Sequence, residues 1–276
     1  MTMSTRKLSA FVAAQFQNIV SPKYLGVLTS PRAIKIYDQC MTSSTYDESN
    51  NYEYLEQLGD VTANKFLVWY FYRRFPELVC PRGVKVVARL KINYGSKKVF
   101  SQLAHEIGFW EHIKASDECK HKKRDDLLED SFEAFVGATE LILDTDVEVG
   151  VGGVVAYAYL KSIFDKQPIS LKYEDLYDSK TRLKELADKF SQIGRITYKE
   201  SREGDGIKTI TTSRIYTTTG IHQRKQLIAT GRARLKNDAQ RAAAQLAINY
   251  FNRMGYVKTL PPEYAIFGNL SPTRIK

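Results

Sequence analysis

The chain is poor in cysteine and in long apolar runs. Of its 276 residues, 3 are cysteines: Cys40, Cys80 and Cys119, odd in number and far apart. A disulfide framework needs paired cysteines at regular spacing, so this usage points to a reducing, intracellular compartment, with cytoplasm and nucleus undistinguished. Cys119-Lys120-His121 is not a zinc pattern, because a tetrahedral site needs two more ligands at suitable spacing. The uncharged run 149–160 is shorter than the ~20 residues a membrane helix requires, and so is the run 8–22. The apolar patch at 10–14 is too short for a signal-peptide core and no cleavage pattern follows it. Gly150, Gly152 and Gly153 lack a preceding strand and a placed ribose-binding acid, which excludes a dinucleotide loop and leaves a helix start or tight turn.

What is present fits a soluble globular protein: 43% apolar and 26% charged residues, on a chain long enough for two domains. The stretch around which the rest is organised is 51–74, NYEYLEQLGDVTANKFLVWYFYRR. It predicts one long helix, with Asn50 or Asn51 as N-cap and no proline until Pro76. At ~100° per residue, Glu53, Glu56, Asp60 and Asn64 share an arc of roughly 80°. The rest is so apolar, through Leu55, Leu58, Val61 and the run FLVWYFY, that a buried helix is expected. Carboxylates striped along a buried helix repel one another and lose hydration, so they need a cation or protons. For Glu53 and Glu56 alone, an acidic first turn facing the helix dipole in water is an equal reading. Asp60, two turns in and beside Gly59, weighs against it.

A second acidic helix is expected over 125–143. Leu128, Phe132, Phe135, Val136, Ile142 and Leu143 keep helical spacing, while Asp126, Asp130 and Glu133 lie together opposite them. Alone this would read as a solvated acidic face. Two such helices favour a shared divalent-metal site. Mg²⁺ takes a few carboxylates and keeps several waters, so Glu56, Asp60, Asp130 and Glu133 would suffice.

YEYLEQLGD resembles the signature of the ribonuclease III family, an NERLEFLGD-like text, and LLEDSFEAFVGA resembles that family's second block, D-x-x-E-A followed by two hydrophobics and G-A. The blocks keep the family's order and rough spacing. The resemblance implies that the metal-binding, catalytic carboxylates are Glu56, Asp60, Asp130 and Glu133, with Glu53 at a further acidic position. It implies an all-α endonuclease domain that dimerises, each subunit cutting one strand of double-stranded RNA to leave 5′ phosphates and short 3′ overhangs. Gln57 stands where the family carries an aromatic that plugs the subunit contact, which puts the usual homodimer contact in question.

Elsewhere in the first domain, residues 1–165, helices are expected near 8–19, 31–41, 84–92, 99–112 (ending near Gly108 or beyond) and 154–164. The basic run KHKKR, 120–124, reads as a solvated loop or as a phosphate contact at the mouth of the site. Residues 166–177 are expected as a linker. Over 178–257 the pattern changes to a helix at 180–190, strands at 195–200, 209–216 and 224–230, with turn signals at Gly204-Asp205-Gly206 and Gly220, and an Ala-rich helix at 238–251. A tail occupies 258–276. The order α-β-β-β-α, with DSKTRLKEL at its start and GRARLKNDAQRAAAQLA at its end, resembles a double-stranded-RNA-binding domain, a small α+β fold. That resemblance implies RNA contacts from Lys180, Arg232, Arg234, Lys236 and Arg241. EGDG at 203–206 replaces the family's G-P-x-H loop, so a minor-groove contact there is in question.

Charge supports this division. Residues 178–257 hold 16 Lys and Arg against 7 Asp and Glu, a net of +9 in a chain of net +10. The basic third would attract polyphosphate, and the near-neutral helical part would hold metals. The expected mechanism is hydrolysis with two Mg²⁺ ions ~4 Å apart, Mn²⁺ substituting, and Glu133 shared between them. No Ser, His or Cys nucleophile is required. Duplex RNA would be read by shape, 2′-hydroxyls and phosphates. The rival is an inactive double-stranded-RNA-binding protein, ribosomal or duplex-sequestering; retention of all four carboxylates weighs against it. A DNA-binding reading fares worse, since the C-terminal part offers no helix suited to a major groove.

Overall fold

The computed structural model describes residues 3–204, 209–219 and 224–275. Asp205, Gly206 and Gly220, expected in turns, lie outside the described residues. The chain divides into two compact units, Met1–Ile169 with Leu270–Lys276, and Ser170–Asn269.

The first unit is all helix: α1 Met3–Phe16, α2 Pro22–Leu28, α3 Pro31–Cys40, α4 Glu53–Arg74, α5 Gly83–Tyr94, α6 Lys97–Ile107, α7 Asp117–Lys122, α8 Arg124–Asp146 and α9 Val151–Phe164. Ser30 caps α3 by accepting from Ala33 N–H at 3.2 Å. Gly108, at φ 98°, ends α6 in the left-handed region, and a short 3-10 turn follows. Gly150, at φ 97°, opens α9, as the glycine cluster suggested.

The buried centre is α8, not α4. Every residue from Ser131 to Thr139 on α8 is buried, and α2, α3, α4, α6 and α9 pack around it. α4 buries Leu55, Ala63, Phe66, Leu67, Tyr70 and Phe71, but leaves Tyr54 63% and Val61 67% exposed. An apolar composition alone did not separate a helix buried on all sides from one with an uncovered stripe. The residue N-terminal to α4 is Tyr52 rather than an asparagine. Asn51 contributes from one position further back, its Oδ1 accepting from Glu53 N–H at 3.1 Å.

α4 and α8 cross at glycine. A Cβ on Gly59 would lie 1.7 Å from the Glu133 carbonyl oxygen, and one on Gly137 would lie 2.2 Å from the Leu55 carbonyl oxygen. The two backbones therefore touch, which no other residue type permits here. Residues 270–276 belong to this unit: Thr273 N–H donates to Arg74 O at 2.7 Å, and the Arg74 guanidinium donates to Thr273 O at 2.8 Å.

The second unit contains α10 Tyr173–Leu176, α11 Ser179–Lys189, β1 Arg195–Glu203, β2 Ile210–Thr219, β3 Arg224–Ala233, α12 Lys236–Arg253 and α13 Pro262–Phe267. The strands form one antiparallel sheet in the order β1-β2-β3, with a bulge at Ile215/Tyr216. This is the expected α-β-β-β-α fold, extended by α10 from 166–177 and α13 from the tail. Leu183 and Leu186 of α11 and Ala243, Ala244, Ala247 and Phe251 of α12 pack with Ile215 and Ala229. Gly231 lets α12 lie close on the sheet, since a Cβ there would meet Ala243 N at 2.3 Å. Tyr173, Tyr177 and Tyr264 form a cluster of tilted and edge-to-face rings with centroids 4.7 to 5.6 Å apart. No helix among the described residues is long and apolar enough to cross a membrane.

Candidate active site

The glycine crossing sets the acidic faces of α4 and α8 side by side. Glu56 and Asp60 are one turn apart on α4; Asp130 and Glu133 are one turn apart on α8. All four line one cleft of about 520 Å³, together with Gln57, Val61, Gly95, Lys97 and Glu129. Glu53 is not in it. That side chain is exposed and lines an adjoining recess with Ser43, Tyr52, Glu56, Lys123 and Asp130.

Negative charge in the cleft is poorly hydrated. Glu133 is only 7% exposed. Burial, then the charges of Asp60, Glu129, Glu56 and Asp130, pushes its carboxyl up to about 8. Burial, then Asp130, Glu129, Glu53 and Asp60, raises Glu56 to about 7. Asp130 is raised by burial, against the opposing pull of a hydrogen bond from Tyr52 and the charge of Lys97. The Tyr52 hydroxyl donates to Asp130 Oδ2 at 2.8 Å. Asn64 Nδ2 donates to Asp60 Oδ1 at 2.6 Å.

Sequence reasoning missed two cleft residues. Glu129 sits one turn before Glu133, so helical spacing could have nominated it. Lys97, at the start of α6, gave no signal; its ammonium reaches Asp126 at 2.6 Å and Glu129 at 3.0 Å. Hydrogen bonds donated to these two acids, Asp126 first, raise the Lys97 pKa and keep it charged.

The donor set is all carboxylate oxygen, which suits a hard cation such as Mg²⁺ rather than zinc. A divalent ion between the two helices would offset the burial and the repulsion that raise Glu56 and Glu133. Among the described residues no three acidic, histidine or cysteine side chains yet converge closely enough to enclose an ion. The residues fit the group in chemistry, in an open arrangement.

The basic run 120–124 is not a loop. Its first part ends α7, with Lys122 paired to Glu118 at 2.8 Å, and Arg124 begins α8, stacked over Trp110 at 4.8 Å from the ring centroid. In the second unit Arg232, Arg234, Lys236 and Arg241 are exposed. Lys236 stands 3.9 Å from Glu200 and Arg241 3.6 Å from Asp238. Lys180 is half-buried, donates to Gln240 Oε1 at 2.6 Å and lies 5.9 Å from the Tyr198 ring centroid.

Comparison with known proteins bears on this cleft directly. A family model described as the ribonuclease III domain matches residues 53–143, the span that holds all four carboxylates. A ribonuclease 3 homologue of Invertebrate iridescent virus 6 is 38% identical over 262 residues, covering 90% of this chain and 88% of that relative. One from Frog virus 3 (isolate Goorha) is 38% identical over 243 residues, covering 87% of this chain and 61% of that relative. Ribonuclease 3 of Pediococcus pentosaceus is 26% identical over 230 residues, covering 79% of this chain and 90% of the relative. Similarity that runs through both units, and a family match centred on the crossing helices, establish that the chain belongs to the ribonuclease III family and is a ribonuclease.

Proposed function

We propose that the protein is a Mg²⁺-dependent endoribonuclease that cleaves double-stranded RNA, leaving 5′ phosphates and short 3′ overhangs. The single observation that carries this reading is the gathering of Glu56, Asp60, Asp130 and Glu133 from two helices into one desolvated cleft. These four residues would hold the ions, with Mn²⁺ able to substitute. Bound there, divalent ions supply the Lewis acidity that phosphodiester hydrolysis needs at the attacking and leaving oxygens. Glu133, at the crossing and flanked by acids of both helices, would be the ligand shared between the ions. Lys97 compensates Asp126 and Glu129, so that the cleft's remaining charge is left to the ligand-bearing carboxylates. The second unit would act as a double-stranded-RNA-binding domain. Arg232, Arg234, Lys236 and Arg241 stand exposed for phosphates, whereas Lys180 would have to leave Gln240 to reach RNA.

A homodimer fits the same reading. Tyr54, Gln57 and Val61 repeat at helical spacing along the exposed stripe of α4, and identical stripes can pair about a two-fold axis. Gln57 brings less apolar area than an aromatic would, so Gln57→Phe is expected to be neutral or to tighten the dimer in sedimentation. A strict monomer that only nicks one strand would overturn paired cutting. The deciding test of the whole reading is incubation of a long RNA duplex with Mg²⁺, beside single-stranded RNA and DNA duplex controls. Cleavage of the RNA duplex alone, abolished by EDTA, is the expected result. Equal cleavage of single strands, or cleavage indifferent to EDTA, would overturn it.

A further inference from the structure

We propose that Tyr52 is a positioning residue: its phenol fixes Asp130 as a one-oxygen ligand and so favours a small divalent cation over a larger one. This rests on the carboxylate-cleft reading above. Tyr52 precedes α4 directly, yet its hydroxyl reaches α8 and donates to Asp130 Oδ2 at 2.8 Å. Tyr52 is 6% exposed and is held through its backbone as well as its hydroxyl. Its N–H donates to Thr42 O at 3.0 Å, and Gln39 Nε2 donates to Asn51 O at 2.9 Å beside it. At the far end Ser43 lines the same recess as Tyr52 and Asp130. Ser43 is itself fixed, its N–H donating to Lys114 O at 2.9 Å and its hydroxyl 3.1 Å from that of Thr45. A phenol constrained in this way is an aimed donor rather than a free rotor.

The chemistry of the donor matters. Asp126 and Glu129 are engaged by an ammonium, which cancels charge. Asp130 Oδ2 is engaged by a neutral O–H, which stabilises the carboxylate but leaves its full negative charge for a ligand. With one Oδ2 lone pair taken by the phenol, Oδ1 is the oxygen more available to a cation. Single-oxygen ligation suits Mg²⁺, which demands an octahedral shell and keeps waters. Ca²⁺ takes more oxygens and accepts both from one carboxylate.

The test is Tyr52→Phe in the full chain, which removes one oxygen and little volume. Titrations of Mg²⁺ and Ca²⁺ into RNA-free protein by calorimetry should give Mg²⁺ affinity reduced about 10–100-fold, the range for loss of a hydrogen-bonded partner of a ligand. Ca²⁺ affinity should change less, and the melting temperature without metal should hold. The Mg²⁺ concentration for half-maximal cleavage should rise in parallel, with duplex affinity unchanged. In an Asp130→Asn background the same substitution should have no further effect on metal affinity; a full additional loss would place the role of Tyr52 elsewhere. Unchanged isotherms in Tyr52→Phe, with binding lost in Glu133→Ala, would overturn the positioning role and leave the cleft reading standing. Wild-type isotherms in both variants would overturn the cleft reading itself.

Discussion

The two units use the same packing device and treat charge in opposite ways. Gly59 and Gly137 let α8 touch α4, and Gly231 lets α12 touch the sheet. In the helical unit the close approach drives carboxylates together in a half-dry cleft, where Glu133 and Glu56 are forced towards protonation. In the α+β unit the approach is lined by alanine, and Arg232, Arg234, Lys236 and Arg241 stay in water. Bond cleavage gains from concentrated, desolvated charge, because electrostatic interactions there are strong. Attraction of a polyphosphate gains from charge that is spread and accessible. The division of labour seen in net charge along the sequence is thus a division of solvent exposure in the fold.

The sharpest way to break the comparison is to remove a cleft carboxylate. Glu133→Ala should reduce cleavage by more than the ~100-fold that loss of even an outer partner of a metal costs, with duplex affinity nearly intact. Gel-shift and cleavage assays on one preparation check both halves, and Asp60→Ala should behave likewise. Persistence of the wild-type rate would remove Glu133 from the site.

Next in size are the glycine crossings. Gly59→Ala places a Cβ against the Glu133 carbonyl oxygen, so it should cost the helical unit at least the ~1–3 kcal/mol of an overpacked core, and with it the cleft. Gly231→Ala should destabilise the other unit by a similar mechanism and leave the cleft carboxylates in place. Scanning calorimetry with a parallel cleavage assay at low salt distinguishes them: the first variant loses activity, the second loses affinity.

Replacing both Arg232 and Lys236 by Ala is a milder change. Binding should weaken across all duplex sequences, and the slope of log affinity against log salt should flatten by up to about two, one for each lost phosphate contact. Cleavage at low salt should persist. An unchanged slope would mean that these side chains do not meet phosphate.

A separate expected effect is on stability against pH. In metal-free protein the folded state holds protons on Glu133 and Glu56 up to about 8 and about 7, whereas an unfolded glutamate releases its proton near the ordinary value of 4.5. The folded state therefore binds more protons than the unfolded state across that window, and stability falls as pH rises through it. Urea melts in EDTA should show the helical unit weaker at pH 8 than at pH 5. Glu133→Gln should flatten the upper part of that decline, and Mg²⁺ should restore most stability at the high-pH end. A metal-free protein no weaker at pH 8 would show that the cleft is well hydrated.

Local pattern alone determined much of this protein. The spacing Glu56–Asp60 and Asp130–Glu133 is one helical turn each, so periodicity was enough to put each pair on one face. The order α-β-β-β-α followed from the change of period and from β-branched runs between glycines. α2 and α7 escaped notice because six or seven residues, with Gly26 inside the first, carry too little periodic signal. What only the tertiary structure decided depends on groups far apart in the chain. The choice of α8 over α4 as the buried centre comes from which apolar stripe finds neighbours, and both stripes look alike as text. Lys97 reaches Asp126 across 29 positions and Tyr52 reaches Asp130 across 78. Hydrogen bonds and ion pairs of that kind are set by where helices cross, and for α4 and α8 the crossing is fixed by backbone contact at Gly59 and Gly137.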